Sequence, residues 1–584
     1  PHFLQFGRQQ PLWPRKQQAP SEVMASPIAA SPEFTALQAH AAEVKQGTSV
    51  PKLRELLQDD ARSAAFKAEA DGIYLDYTRQ NATMETKEML LALARAANLE
   101  EKKAKMFSGA KINTTEGRSV LHVALRAPRT KAIVVDGVDQ VAEVHKVLDS
   151  IQAFSGRVRS GAHVGCTGKP LTTVVAVGIG GSYLGPEFLF EALKTDPAGA
   201  AASKGRTLRF LANVDPVDFK RATEGLDPEE TLVIIVSKTF TTAETMLNAR
   251  TMRNWLTSTM PGGKPKEDIV RCHMAACSTD LDKTGAFGID PANVFGFWDW
   301  VGGRFSCHSA VGMVPLSLQY GFDIMRQFLD GAAAMDEHFL TAPLDQNLPV
   351  LLGLFGLWNS TFLGHACRAI LPYSQALLRF PAHLQQVDME SNGKFVDLDG
   401  HVVPFSTGEI VFGEPGTNGQ HSFYQLMHQG TTIPAEFIAA CKSQNPLRGE
   451  GEVVSSHDEL MSNFFAQPDA LAYGKTPEEC AAEGVPADLQ THMSFPGNRP
   501  SMSILVPDLC PHVLGQLLCL YEHRVAVQGF VWNINSFDQW GVQLGKVLAK
   551  KTGAALAGAR DKAQPLSGFN ASTTGLMAYY LSKS

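Results

Sequence analysis

The chain lacks the features that would place it in most functional classes. Nine cysteines in 584 residues include no CxxC pair and no regular spacing, which argues against a disulfide scaffold and for a reducing compartment. There is no HExxH, so nothing in the pattern asks for zinc, and neither metal nor cofactor is expected. The formal charge is only -7, with 19% charged residues, so no field would gather nucleic acid or an anionic membrane. The most apolar segment, residues 348–371, carries Asn359, His365 and Arg368. Their exposure to lipid would be costly, so the segment is expected as a core helix rather than a membrane span. N-x-S/T sequons starting at Asn81, Asn113 and Asn359 carry no weight without secretion.

What is present points to a large α/β protein. A length of 584 residues with 44% apolar residues exceeds one hydrophobic core, so two domains are expected. The first twenty residues hold Arg8, Arg15 and Lys16, no acidic group and no signal-peptide core. They read as a disordered leader, with Met24 a candidate start and a presequence the alternative to a cytosolic address. Residues 34–125 have amphipathic helical periodicity. From 130 to 310 the short apolar runs TTVVAVGI, TLRFLANV, TLVIIVS and IVRCHMAAC alternate with helical patterns, which predicts a mainly parallel sheet wrapped by helices. A second α/β layer follows, with VVPFSTGEIVFG and SMSILVPDL as its strand-like runs. The end of the chain, from about 541, is too small for its own core and reads as an arm against another domain or subunit.

Two segments share one design. In LVIIVSKTFTTAET, residues 232–245, a buried strand empties into hydroxyls that open a helix. Free helix N-terminal amides, the hydroxyls of Ser237, Thr239 and Thr242, and the charge of Lys238 could hold a phosphate. An ordinary N-cap is the alternative. TTVVAVGIGGSYLGP, residues 172–186, repeats the grammar and supplies Ser182. GIGGSYLG lacks both GxGxxG spacing and the Walker lysine, so dinucleotide and P-loop readings rank low.

Further candidates are scattered along the chain. His421 opens a periodic segment after a glycine-punctuated turn, and His428 lies seven residues on; acid/base, structural and metal-pair roles stay open. Glu390 of VDMESNGK is a candidate general base at a core edge, with Asp388 an equal candidate from composition alone. Arg304, between Gly303 and Phe305, is either an anion-stabilising charge or the structural partner of Asp299. Cys307 beside His308 is a weak thiol dyad. Gln539 and Lys546 lie on nearly one helical face, where Lys550 and Lys551 also suit a solvated helix.

Together VGIGGSYLGP, SKTFTTAET, VGGRFS, DMESNGK, GEPGTNGQHSFYQLMHQG and NSFDQWGVQLGK resemble the glucose-6-phosphate isomerase family, from about residue 34 to the end. The resemblance implies two α/β/α sandwich domains of the sugar isomerase type, a C-terminal helical arm, and a cytoplasmic homodimer with active sites at the subunit interface. It implies a leader at 1–33, a helical segment at 34–129, a smaller domain at 130–315, a larger one at 316–540 and the arm at 541–584. It implies a hexose 6-phosphate substrate, with no nucleic acid or membrane partner. Gly181, Ser182, Ser237, Lys238, Thr239 and Thr242 would hold the phosphate, and Gln386, Glu390, Arg304, His421, Gln539 and Lys546 the sugar. Glu390 would move the proton, His421 and Lys546 would open the ring, Glu244 would orient His421, and His421 would come from the neighbouring subunit. Tyr183 departs from the family's common Asp and leaves the bracing of that helix start open. An amidotransferase-type sugar isomerase lacks support because no N-terminal cysteine nucleophile is present, and a sugar-phosphate sensor would bind without interconversion.

Overall fold

The computed structural model describes residues 26–562 and 564–584. Two sheets organise it. In the first, five parallel strands lie in the order Thr207–Leu211, Thr173–Val177, Thr231–Val236, Met274–Cys277 and Val294–Phe295. The central strand TLVIIV is buried at every residue, which is why it reads as a continuous apolar run rather than an alternating one. The second sheet runs Lys67–Ala70, Ile73–Asp76, Ser501–Val506, Ala435–Ala440, Cys367–Tyr373, Ile410–Phe412. Its last four strands are parallel, and the hairpin of residues 67–76 joins antiparallel.

Apolar faces on both sides of each sheet are covered. Val175, Val177, Val233 and Ile235 pack under the helices Ala243–Thr259 and Lys266–His273, while Val174, Ala176, Ile234 and Val236 face the main core. That core is centred on the helix Pro511–Trp532, buried at every residue except His512. It lies against the helices Phe322–Thr341 and Leu348–Leu357. The mixed α/β architecture with mainly parallel sheets is the one expected from the sequence.

Four details differ from the periodicity. The run 348–371 is not one helix: Leu348–Leu357 passes into a wider turn, Trp358–Phe362, and Cys367–Tyr373 is a central strand. Both pieces are buried all round, and a run of apolar residues cannot then separate helix from strand. In IVRCHMAAC only Met274–Cys277 is strand. The helical stretch 34–125 contains the hairpin Lys67–Ala70/Ile73–Asp76, whose alternation is too short to stand out. VVPFSTGEIVFG contributes only Ile410–Phe412. Of the leader, residues 1–25 lie outside the described residues, while Ser26 and Ile28 are buried. The arm comprises the helices Gln543–Lys562, which buries no residue, and Ala571–Lys583.

A charged cluster lies inside the core. Arg126 donates to both oxygens of Asp336 at 2.7 and 2.8 Å and to Glu522 at 2.6 Å. Two carboxylates share one guanidinium. Burial opposes the charge on Asp336, but Arg126 and His523 hold it well below its usual range. Burial pushes Glu522 up to about 7 in spite of Arg126. Between its free value and about 7 the folded chain holds the extra proton, so this group's contribution to stability falls as pH rises through that window. Glu522→Gln, which keeps the neutral shape, is expected to flatten this decline in urea midpoints measured from pH 5 to 8. An unchanged slope would show that Glu522 is ionised throughout.

Candidate functional site

The two hydroxyl-rich turns meet because their strands are neighbours. Val177 pairs with Ile235, so the turn Gly180–Ser182 and the segment Ser237–Thr242 leave the same carboxyl edge, where parallel sheets bind ligands. The ordinary N-cap role is not taken up: Thr242 occupies the N-cap of Ala243–Thr259 but makes no side-chain capping bond. Ser237 is 3% exposed and its Oγ has no hydrogen-bond partner among the described residues. A buried unpaired hydroxyl is costly, and an anion at this edge would pair it. Phe240 takes a left-handed φ of 52° with its ring against Phe287, a backbone cost of the kind found at ligand turns.

Lys238 points elsewhere. Its Nζ donates to the carbonyls of Asp299 at 2.9 Å and Val301 at 3.1 Å, tying the phosphate-type turn to the loop before Gly302, Gly303 and Arg304. Burial, aided by Arg118, lowers its pKa to about 8.

The same two turns touch directly. A Cβ on Gly181 would fall 2.1 Å from the Gly303 carbonyl and 2.7 Å from the Arg304 nitrogen, so only glycine allows this approach. It delivers Arg304 to the edge. The Arg304 guanidinium is 1% exposed and donates to Ser391 Oγ at 2.6 Å, the Ser536 carbonyl at 2.5 Å, the Asp538 carbonyl at 3.1 Å and Gln539 Oε1 at 3.2 Å. Its Nη1 lies 3.7 Å from Glu390 Oε1. Burial lowers the Arg304 pKa and Glu390 opposes that shift. Asp299 pairs with Arg118 instead, at 3.8 Å, which removes the alternative partner for Arg304.

Glu390 ends a wide helical turn, Gln386–Glu390, and Gln386 donates to its Oε2 at 2.9 Å. The neighbouring motif residues explain why this carboxylate stands still. Asp388 Oδ2 accepts from Arg368 at 2.5 Å and Arg524 at 2.7 Å. Ser391 takes Arg304, and Asn392 bonds Ser536 Oγ and the Val525 carbonyl. Lys394 reaches the carbonyls of Asn535 and Asp538. Asp388 is therefore an anchor in a buried ion network with Glu409 and Glu436, and of the two motif carboxylates only Glu390 is accessible to the site.

Two cavities flank Arg304. One, of about 340 Å³, is lined by Lys238, Thr239, Gly303, Gln539 and Lys546 together with Glu116 and Arg118. The other, of about 640 Å³, is lined by Glu390, Lys394, Asp538 and Gln539. Arg118, Ser391 and Ser536 went unremarked in the sequence. Proximity to Glu390 was the available signal for Ser391, and the turn-rich NTTEGR for Arg118.

His421 lies apart from both. It ends the turn Asn418–His421, is exposed, and makes no hydrogen bond among the described residues, including to Glu244. Its turn is nevertheless built: a Cβ on Gly416 would fall 2.5 Å from the Tyr373 ring, and Tyr373 Oη donates to Gln420 at 2.9 Å. His428 bonds Gln467 rather than sharing a metal with His421. Cys307 is no dyad partner, since His308 faces Arg126 and stacks on Phe328, and burial pushes the Cys307 thiol well up. Tyr183 packs on Phe210, with its hydroxyl 3.5 Å from Arg379, which pairs with Glu187; this braces the helix start. Two groups of described residues are close enough to hold a metal, but each is engaged. In one, Asp336 is taken by Arg126; in the other, Asp397 accepts the amides of Asp399 and His401.

The family model described as phosphoglucose isomerase matches residues 76–577. The chain is 59% identical over 549 residues to the cytosolic A glucose-6-phosphate isomerase of Oryza sativa subsp. japonica, covering 94% of this chain and 95% of that protein. It is 58% identical over 548 residues to the cytosolic glucose-6-phosphate isomerase of Arabidopsis thaliana, covering 94% and 96%. The crystal structure of a glucose-6-phosphate isomerase from Chlamydia trachomatis superposes with a TM-score of 0.81 at 30% identity, covering 95% of this chain and all of that one.

The Lys238 tie makes a separable expectation. Lys238→Met should speed amide exchange across residues 299–304, because the two carbonyl bonds are lost, while affinity for inorganic phosphate changes by less than about twofold. A large loss of phosphate affinity with unchanged exchange would instead make Lys238 a phosphate ligand.

Proposed function

The chain belongs to the phosphoglucose isomerase family, and from this premise we infer how its site interconverts D-glucose 6-phosphate and D-fructose 6-phosphate. The reaction is an aldose–ketose isomerisation of glycolysis and gluconeogenesis. The cytosolic naming of its relatives supports the same address for this chain. One observation carries the mechanistic reading: Glu390 stands between Arg304 and Gln386, and the Gln386 amide in turn lies against Gly180 of the turn that bears Ser182.

Ser182, Ser237, Thr239 and Thr242, with the free amides of the helix starts, hold the phosphate and fix the sugar's distance from Glu390. His421 donates to the ring oxygen and Lys546 manages the hydroxyl charge as the ring opens. Glu390 then removes the proton beside the carbonyl and returns it to the neighbouring carbon, through a cis-enediol. Negative charge appears on substrate oxygen in that step. Arg304 meets it with a charge already desolvated and held by four fixed acceptors, so little reorganisation is needed. Gln386 holds one carboxylate oxygen and leaves the other toward the substrate.

The site is completed by a second chain. The separation of His421 from the chain's own cavities supports its donation to a partner's site in a homodimer. So does the arm, where Leu544, Val547, Leu576 and Tyr579 are exposed, an apolar surface of the kind that marks protein contacts.

Glu390→Gln is expected to lower turnover by about 10² to 10⁴ with folding intact; near-normal turnover in pure protein would remove its role as base. Coexpression of Glu390→Gln with His421→Ala tests the shared site. If each site draws on both chains, mixed dimers hold one intact site and total activity recovers to about a quarter of wild type. No recovery would place both residues in one chain's site.

A further inference from the structure

The two sheets share one topology. In the first, the chain runs from strand 173–177 to 207–211 on one side, returns to 231–236 on the other side, and continues to 274–277. In the second, it runs from 367–373 to 410–412, returns to 435–440 on the other side, and continues to 501–506. The turn Gly180–Ser182 lies in the first crossover of one sheet, and the turn Gln386–Glu390 lies in the corresponding crossover of the other. A substrate held at one turn and deprotonated at the other requires a fixed distance between them.

Behind the site these two crossovers pack on each other. The helix Leu184–Leu193 begins two residues after Ser182, and the helix Phe380–Gln385 runs directly into Gln386–Glu390. A Cβ on Gly185 would fall 3.0 Å from the Cys307 Cβ and 3.2 Å from the His383 ring. Phe188 lies on Phe380 with ring centroids 4.8 Å apart and stacks on His383 at 6.2 Å. Neither ring nitrogen of His383 has a hydrogen-bond partner among the described residues, and burial lowers its pKa to about 4. The joint is therefore close but apolar, and apolar contact is non-directional.

Direction comes from Arg379, the residue before Phe380. Its Nε and Nη2 both reach Glu187 Oε2 at 2.6 Å, and its Nη2 donates to the Tyr183 hydroxyl at 3.5 Å. Tyr183 and Glu187 stand one helical turn apart, with the Glu187 amide donating to the Tyr183 carbonyl at 2.8 Å. The Tyr183 ring is held edge-on by Phe210 of strand 207–211. Burial, and after it the Glu187 carboxylate, keeps the Tyr183 hydroxyl neutral. Tyr183 follows Ser182 directly, and Arg379 opens the helix that leads to the Glu390 turn. Where the family commonly has Asp at 183, this chain carries its carboxylate one turn on, at Glu187.

We propose that Glu187, Arg379 and Tyr183 are positioning residues, a clasp that sets the separation of the Ser182 turn from the Glu390 turn. The clasp has this role only if Ser182 holds the phosphate and Glu390 is the base, as inferred above. The three side chains bond to one another and line neither cavity beside Arg304. Loss of the clasp leaves the groups of each turn in place and lets the crossovers slide at their apolar joint. Phosphate is then still held, while the base is displaced from the carbon it deprotonates.

Glu187→Gln keeps the shape and removes the charge. The paired side chains are 19% and 33% exposed, so the pair's loss costs the fold little, and urea midpoints are expected to stay near wild type. With fructose 6-phosphate, kcat is expected to fall about tenfold and KM to change by less than about twofold. Arg379→Gln should do the same, and the double variant should lose no more than either alone, because both remove one contact. Tyr183→Phe removes only the hydroxyl and should lower kcat by a smaller factor. An unchanged kcat in Glu187→Gln, a rise in KM with kcat intact, or multiplied losses in the double variant would overturn the clasp. A collapsed urea midpoint in Glu187→Gln together with normal kcat in Tyr183→Phe would make the contact a structural brace. Glu390→Gln in the same assay separates the two inferences: near-normal turnover there removes the base, whereas its loss beside a normal Glu187→Gln removes the clasp alone.

Discussion

A guanidinium with almost no exposure has to be satisfied by groups that do not move, and the site is arranged around meeting that demand for Arg304. Its donors reach Ser391 on the turn after Glu390, the carbonyls of Ser536 and Asp538, and Gln539 before the arm. These partners are far apart in sequence. Holding the one charge therefore fixes the turn that bears Glu390, the end of the long core helix and the start of the arm in a single frame. An exposed arginine would have water as the alternative partner and would impose no such order.

The buried ion networks extend the frame inward. Arg368 and Arg524 bind Asp388, Glu409 and Glu436, while Arg126 binds Asp336 and Glu522. Each holds one more carboxylate than guanidinium. The surplus charge is disfavoured by burial, which raises the pKa of Asp388 in one network and of Glu522 in the other. Replacing any of the three arginines would strand carboxylates in the core without their partner, a cost of about 3–5 kcal/mol for a broken buried pair. The reward is positional. Asp388 is two residues from Glu390, so the network ends at the turn that presents Glu390.

What the sequence revealed follows from where each signal resides. Ser182, Ser237 and Thr242 were legible because strand, turn and helix start are contiguous, and local grammar encodes them. Asp388 and Glu390 were indistinguishable by composition, since their difference lies in Arg368 and Arg524, about 20 and 136 residues distant. Lys238 sat in the right motif, but its ammonium is turned by carbonyls about sixty residues on. The run 348–371 failed for a simpler reason. Burial on all sides erases the periodicity that separates helix from strand, and the polar residues that argued against lipid, Asn359 and Arg368, bond Gln80 and the ion network instead.

The repeated sheet topology shows how one architecture can serve two ends. In the first sheet, strand 231–236 reaches its helix in six residues, Ser237–Thr242. The hydroxyls of that short connection stay near the strand end, with Thr239 and Thr241 bonded to each other at 2.7 Å. In the second sheet, strand 435–440 reaches the helix Ser456–Tyr473 only after residues 441–455. Within that longer excursion Gln444 donates to the Ala192 carbonyl and so joins the helix Leu184–Leu193 to the second sheet's layer. Conversely, the second sheet's first crossover carries the wide turn that presents Glu390, whereas the first sheet's crossover carries Ser182. The two crossovers leave the first parallel strand of each sheet in the same direction of the topology, so the Ser182 turn and the Glu390 turn occupy equivalent positions in the two sheets.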